Sequence, residues 1–105
     1  MPPVSPREEF LNYIQDHPEY YPILQSKIFI TVLEFLSEKA KPLQDIEAQF
    51  SNIEREDLDL VLNSLIKLKI VSRVTGPAQI IYYTNENGKE LLKKFKKASE
   101  HFKIA

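Results

Sequence analysis

The chain contains no cysteine, so it cannot form disulfides, bind a metal through thiolates or use a thiol nucleophile. Its only glycines are Gly76 and Gly88, which excludes a glycine-rich loop of the kind that cradles phosphates. No apolar run approaches the roughly 20 residues that span a bilayer, and residues 1–7 lack the apolar core of a signal peptide. These absences favour a cytoplasmic protein without a membrane segment.

A strong overall charge is also missing, because the 105 residues carry a formal net charge of -1. Residues 43–60 hold six acids and one base, whereas residues 61–105 hold three acids and nine bases. A protein that binds polyanions with its whole surface would be more basic than this. The length predicts a single small domain over residues 1–105, with one acidic and one basic region.

Residues suited to catalysis do not cluster in this sequence. The two histidines, His17 and His101, lie near opposite ends, and neither has a carboxylate at the spacing typical of metal ligands. The sequence therefore predicts a protein that is not an enzyme and that uses no cofactor or metal.

The first half of the chain predicts four helices. Ser5 and Glu8 form a capping box around Pro6, which predicts a helix over residues 6–16 that ends before Pro18. Residues 26–39 are apolar on most sides, as in a buried central helix. A short helix over residues 42–50, a turn at residues 51–53 with Ile53 pointing inward, and a helix over residues 54–68 form a helix-turn-helix.

The second half predicts a hairpin and a final helix. Residues 70–74 and 79–84 are rich in β-branched and aromatic side chains and flank the turn at Gly76 and Pro77. Thr84 is predicted to cap a helix over residues 85–103. The apolar stripe of this helix comprises Gly88, Leu91, Leu92, Phe95, Ala98 and Phe102.

This order of elements resembles that of winged helix-turn-helix proteins over residues 26–92, and the hairpin would be the wing. The resemblance is most specific at residues 62–71 (LNSLIKLKIV) and 82–92 (YYTNENGKELL). In bacterial and archaeal winged-helix regulators, a leucine-rich helix likewise ends at a strand, and a hairpin returns into Thr-x-x-x-Gly. The resemblance implies a mainly α fold with a small β-hairpin (α+β), a winged-helix core over residues 26–84 and extra terminal helices. Family members often carry glycine where Lys69 stands, so lysine predicts a slightly different exit from the helix.

By this resemblance the protein is a transcriptional regulator that binds double-stranded DNA as a homodimer, with residues 54–68 as its recognition helix. Helical geometry places Glu56, Asp59, Leu60, Asn63 and Lys67 opposite the apolar face of that helix. Asn63 is suited to adenine, and Lys67 or Arg55 to phosphate. The residues predicted to bind nucleic acid are Arg55, Asn63, Lys67, Arg73 and Gln79.

The same face also supports a different function. Phosphates would repel Glu56 and Asp59, although both acids also stabilise the positive end of a helix. Leu60, next to Ile66, is a candidate docking patch for another protein. The alternative is therefore a protein–protein interaction module of a larger assembly, which would bind its partner through Glu56, Asp59 and Leu60.

Apolar stripes on the two terminal helices predict the homodimer, because such stripes must be buried somewhere. The residues predicted to form this interface are Phe10, Ile14, Leu91, Leu92, Phe95 and Phe102. The opposite face of the last helix gathers Lys89, Lys93, Lys96 and Lys97. A solvated helix face and a phosphate-binding face both fit this pattern.

Overall fold

The computed structural model describes the backbone of residues 5–103, together with the side chains of Ser5 and of residues 8–98. The chain forms six α-helices, one short 3-10 helix and three strands within this range. In chain order these are α1 (Pro6–Asp16), the 3-10 helix (Pro18–Tyr20), α2 (Tyr21–Leu24), α3 (Lys27–Glu38), β1 (Lys41–Pro42), α4 (Leu43–Gln49), α5 (Arg55–Lys67), β2 (Val71–Thr75), β3 (Ile80–Thr84) and α6 (Glu86–Lys103).

The first helix begins as predicted, because the Ser5 hydroxyl accepts a hydrogen bond from the Glu8 amide at 3.2 Å. It ends at Asp16, ahead of Pro18. The segment that follows is a connector that forms the 3-10 helix and the single turn of α2. Tyr20 and Ile23 are buried there, with 5% and 2% of their surface exposed. This connector, residues 18–24, thereby joins α1 to the core.

Helix α3 is the central helix of the core, as its sequence predicted. Val32, Leu33 and Leu36 on this helix are at most 1% exposed. Helices α4 and α5 follow as a helix-turn-helix, and Ile53 in the turn between them packs against the core. The predicted helix-turn-helix and its inward-pointing isoleucine are thus both confirmed.

The predicted hairpin is present as β2 and β3, but the sheet has a third strand. Lys41 pairs with Tyr82 and Pro42 with Ile81, which gives the strand order β1-β3-β2. The prediction of a two-stranded hairpin was incomplete, because a two-residue strand has no periodicity and its partner lies about 40 residues further along the chain. Pro42 is tolerated because β1 is an edge strand.

The predicted cap of the last helix was wrong by one residue. The Asn85 side-chain oxygen accepts the Gly88 amide at 3.2 Å and so caps α6. Thr84 is only 1% exposed, and its hydroxyl donates to the Leu33 carbonyl at 2.8 Å. Both residue types favour caps, and the long-range bond to α3 holds the threonine side chain elsewhere.

The two terminal helices pack against each other within one chain. Phe10 on α1 meets Phe95 on α6 edge to face, with ring centroids 6.0 Å apart. The protein measures 54 × 25 × 21 Å with a radius of gyration of 15.1 Å, compared with about 13 Å for a compact domain of this length. No described helix is both long enough and apolar enough to cross a membrane.

Candidate nucleic-acid interface

The outer face of α5 is exposed, as its helical spacing predicted. Leu58, Val61, Leu62 and Leu65 point into the core with at most 5% of their surface exposed. The opposite side of the helix is open to solvent, and Leu60 at its centre is 65% exposed. The other exposed residues of this face are Glu56, Asp59, Asn63 and Lys67. This outer face therefore offers one amide and one ammonium group, beside two carboxylates and a leucine.

The N-terminus of α5 is acidic and has no side-chain cap. Glu54 precedes the helix without capping it, and Glu56 and Asp57 stand in its first turn. Arg55 is 75% exposed on the side chain, and its Nε lies 3.7 Å from a carboxylate oxygen of Glu47 on α4. An exposed pair of this kind is weak, so Arg55 can leave Glu47 for another anion.

The junction between α5 and β2 fixes the direction of α5. The Ile70 amide donates to Leu65 at 3.2 Å and the Lys69 amide to Ile66 at 2.9 Å, which is the hydrogen-bond pattern of a Schellman motif. Lys69 has φ 63°. The prediction of a different exit at lysine was therefore wrong, because Lys69 adopts the left-handed conformation that glycine usually supplies.

Helix α6 holds this junction from the other side. The side-chain amides of Asn85 and Asn87 donate to the Lys69 carbonyl at 3.0 and 3.3 Å. A Cβ at Gly88 would lie 2.4 Å from the Ile70 carbonyl oxygen and 2.5 Å from a Thr84 methyl carbon. Glycine thus lets α6 approach the end of α5 closely enough for both bonds.

The wing is short, and its two predicted site residues are exposed. Arg73 lies in the middle of β2, opposite Tyr82 of β3. Gln79 lies in the turn, where its carbonyl accepts the Gly76 amide at 2.9 Å. The arginine is thus on a strand, and the turn itself carries only uncharged side chains.

Sequence reasoning missed Lys27 as a cation next to the helix-turn-helix. A groove of about 480 Å³ lies between the start of α3 and the turn from α4 to α5. Exposed Lys27 lines this groove together with Gln49 and Asn52. No local pattern could have singled out this lysine, because more than 20 residues separate it from the turn that it faces.

The lysines of α6 lie away from the wing. Strand β3 runs from the wing turn to Thr84, and α6 begins just beyond the other end of that strand. Lys89 and Lys93 line shallow grooves with Glu86 and Glu90 on one side and with Ser37 on the other. The series of lysines on α6 thus begins at the end of the sheet that is remote from the wing.

The residues predicted for dimerisation have different environments in the single chain. Leu91 and Leu92 belong to the core and are 0% and 4% exposed. Phe10, Ile14 and Phe95 are partly buried where α1 meets α6, and Phe102 lies outside the described side chains. Packing within one chain covers much of both stripes, and the homodimer stays a prediction.

His17 packs among aromatic rings. It stacks on Tyr20 with centroids 5.2 Å apart and lies 4.7 Å from the Tyr13 ring. Burial raises the pKa of both tyrosines, and neighbouring acids add to this effect. No group of three or more potential metal ligands occurs among residues with described side chains, and His101 is not one of these.

Comparison with known proteins supports the fold. No family model and no curated protein matches the chain in sequence. Its structure is similar to the crystal structure of NadR in complex with 4-hydroxyphenylacetate, with a TM-score of 0.63 and 20% identity over 99% of this chain and 83% of that chain. NadR is a MarR-family winged-helix regulator. The chain therefore has a winged helix-turn-helix fold with an additional helix at each end.

Proposed function

We propose that this protein is a winged-helix transcriptional regulator that binds double-stranded DNA through the outer face of α5 and the wing. The main support is the exposed row of Asn63 and Lys67 on the second helix of a helix-turn-helix, with Arg73 and Gln79 exposed on the adjoining hairpin. A regulator of this fold commonly places that helix in the major groove.

Each predicted residue has a role that suits its chemistry. The Asn63 carboxamide can pair with an adenine edge in the major groove, while Lys67 and Arg55 are suited to phosphates. On the wing, Arg73 is suited to the minor groove and Gln79 to a polar contact with the backbone. Lys27 adds a phosphate contact beside the turn between α4 and α5.

We further propose that two copies pair through their terminal helices. Leu11 on α1 is 50% exposed, next to the half-buried Phe10. Two-fold pairing would place two recognition helices about 34 Å apart, one turn of DNA.

Phe95→Glu should break such a dimer, but Phe95 also packs on Phe10 within one chain. Leu11→Glu is therefore the cleaner test, because it leaves that contact intact, and sedimentation should show a loss of mass. A wild-type monomer at high micromolar concentration would refute the dimer.

The decisive experiment is a salt titration of binding to random duplex DNA, followed by fluorescence anisotropy. Affinity should fall steeply between about 50 and 200 mM salt, because phosphate contacts release counterions. Arg55→Gln, Lys67→Gln and Arg73→Gln should each lower the salt slope by about 1. Lys97→Gln on α6 is the matched control and should not change it. The absence of binding to any duplex at low salt would refute the proposal.

The exposure of Leu60 supports a second candidate function, in which the same face binds a protein. Its proposed companion Ile66 packs against the core, so the predicted patch consists of Leu60 alone, flanked by Glu56 and Asp59. In this case Leu60→Asp should abolish capture of a protein partner, and the wild type should show no measurable affinity for DNA. Measurable binding of the wild type to duplex DNA would argue against this candidate.

A further inference from the structure

A groove of about 360 Å³ separates the connector from the C-terminal end of α5. Its apolar wall contains the buried Ile23, the partly buried Phe29 and Leu68, and the exposed Pro22. The polar residues that line it are Glu19 from the connector and Ser64 and Lys67 from α5. The volume falls within the range typical of small-molecule sites.

Two of the three polar groups of this groove have no side-chain partner in the described part of the chain. Neither the Ser64 hydroxyl nor the Lys67 ammonium group bonds to another side chain within the described part of the chain. The Glu19 carboxylate lies 3.5 Å from His17 Nδ1, a contact that becomes an ion pair only when the imidazole is protonated. The groove thus combines one anionic group, one cationic group and one hydroxyl with an apolar wall.

We infer that this groove binds a zwitterionic small molecule with an apolar side chain, namely a hydrophobic α-amino acid. The ligand carboxylate would accept hydrogen bonds from the Lys67 ammonium and the Ser64 hydroxyl. Its ammonium group would donate to the Glu19 carboxylate, and its side chain would pack against Pro22, Ile23, Phe29 and Leu68. Charge-assisted hydrogen bonds of this kind are stronger than neutral ones. Burial of the ligand side chain against the apolar wall would add hydrophobic stabilisation.

Such a ligand would act on the proposed DNA-binding face directly. Lys67 belongs both to this groove and to the outer face of α5, so a bound carboxylate competes with DNA phosphate for the same ammonium group. The effect on DNA rests on the proposed function, whereas ligand binding itself does not. Measuring the ligand on the protein without DNA therefore separates a failure of this inference from a failure of the proposed function.

The test compares four probes by calorimetry and by amide chemical shifts. L-phenylalanine should bind with a dissociation constant near or below about 1 mM. Its analogues 3-phenylpropionate, which lacks the ammonium group, and phenethylamine, which lacks the carboxylate, should bind at least about tenfold more weakly. Glycine, which lacks the side chain, should show no saturable binding. Shifts on addition of L-phenylalanine should concentrate in residues 18–24 and 64–68.

Two variants test which protein side chains bind the charged groups of the ligand. Lys67→Gln and Glu19→Gln change exposed residues, and each should weaken L-phenylalanine binding about tenfold or more. Lys89→Gln on α6 is the matched control and should bind as the wild type does. The inference is overturned if L-phenylalanine shows no saturable binding or binds no better than either analogue. Chemical-shift changes confined to another part of the chain would overturn it as well.

Discussion

Neutralising Glu56 and Asp59 together should strengthen DNA binding. Both acids are exposed on the face that carries Asn63 and Lys67, so they approach any phosphate that this face meets. Two unit charges about 7 Å apart interact by roughly 0.6 kcal/mol in water. Removing two such repulsions should contribute about 1 kcal/mol, which is a roughly fivefold lower dissociation constant.

The same change should weaken the fold. Acids near the start of a helix each stabilise it by about 0.3–1 kcal/mol. Helix α5 has no side-chain cap at this end, because Glu54 provides none. Glu56 stands in the first turn of α5, and Asp59 lies beyond it, where this effect has fallen off. The double variant should therefore lose up to about 1 kcal/mol of unfolding free energy. A gain in affinity that accompanies a loss of stability cannot come from a better-folded protein.

The assay is anisotropy on duplex DNA at about 0.1 M salt, alongside urea unfolding of Glu56→Gln/Asp59→Asn. Glu86→Gln is the matched control, because Glu86 is an exposed acid in the first turn of α6. It should lose comparable stability and leave DNA affinity unchanged. The gain of the double variant should shrink as salt rises. An unchanged or weaker affinity would refute the reasoning, because it would show that the outer face of α5 does not meet phosphates.

Four further predictions concern the stability of the fold and are measured by chemical unfolding. Gly88→Ala should lower the free energy of unfolding by about 3 kcal/mol or more, because the alanine methyl would overlap the Ile70 carbonyl. An unchanged free energy of unfolding would refute the close approach of α6 to Ile70. Lys69→Gly should raise the free energy of unfolding by about 1 kcal/mol, because glycine adopts φ 63° without the strain that lysine carries there. A lower free energy of unfolding would contradict this strain. Thr84→Val should lose about 1–2 kcal/mol with the bond to Leu33; Thr31→Val, at an exposed site, is the control. Burial raises the pKa of Tyr13, so the folded chain keeps a proton that the unfolded chain releases above about pH 10. The free energy of unfolding should therefore fall as the pH rises above that value, and this decrease should be smaller in Tyr13→Phe.

The elements that the sequence predicted are those with local signals. The capping pair of Ser5 and Glu8 and the position of Pro18 are sufficient to place α1. The leucine spacing of α5 is sufficient to separate its buried side from its exposed side. Signals of this kind depend on neighbours within about one turn of helix, so a single sequence contains them in full.

Long-range contacts decided the elements that the sequence did not predict. Lys41 and Pro42 form a strand only because β3 provides an open edge. Thr84 and Asn85 are both capping residues, and the Leu33 carbonyl determines which of them caps α6. The groove between Glu19 and Lys67 joins residues almost 50 positions apart, and no sequence pattern within the connector or within α5 predicts it.

The charge distribution determines how a protein of this kind would hold DNA. The outer face of α5 carries two acids and one lysine, and the lysines of α6 begin at the end of the sheet remote from the wing. In the proposed function, the attraction would therefore come from a few cations around the helix-turn-helix and the wing, namely Lys27, Arg55, Lys67 and Arg73. So few phosphate contacts give a single chain only modest affinity. Pairing of two chains would double these contacts, so the proposed function would need the proposed dimer for tight binding to DNA.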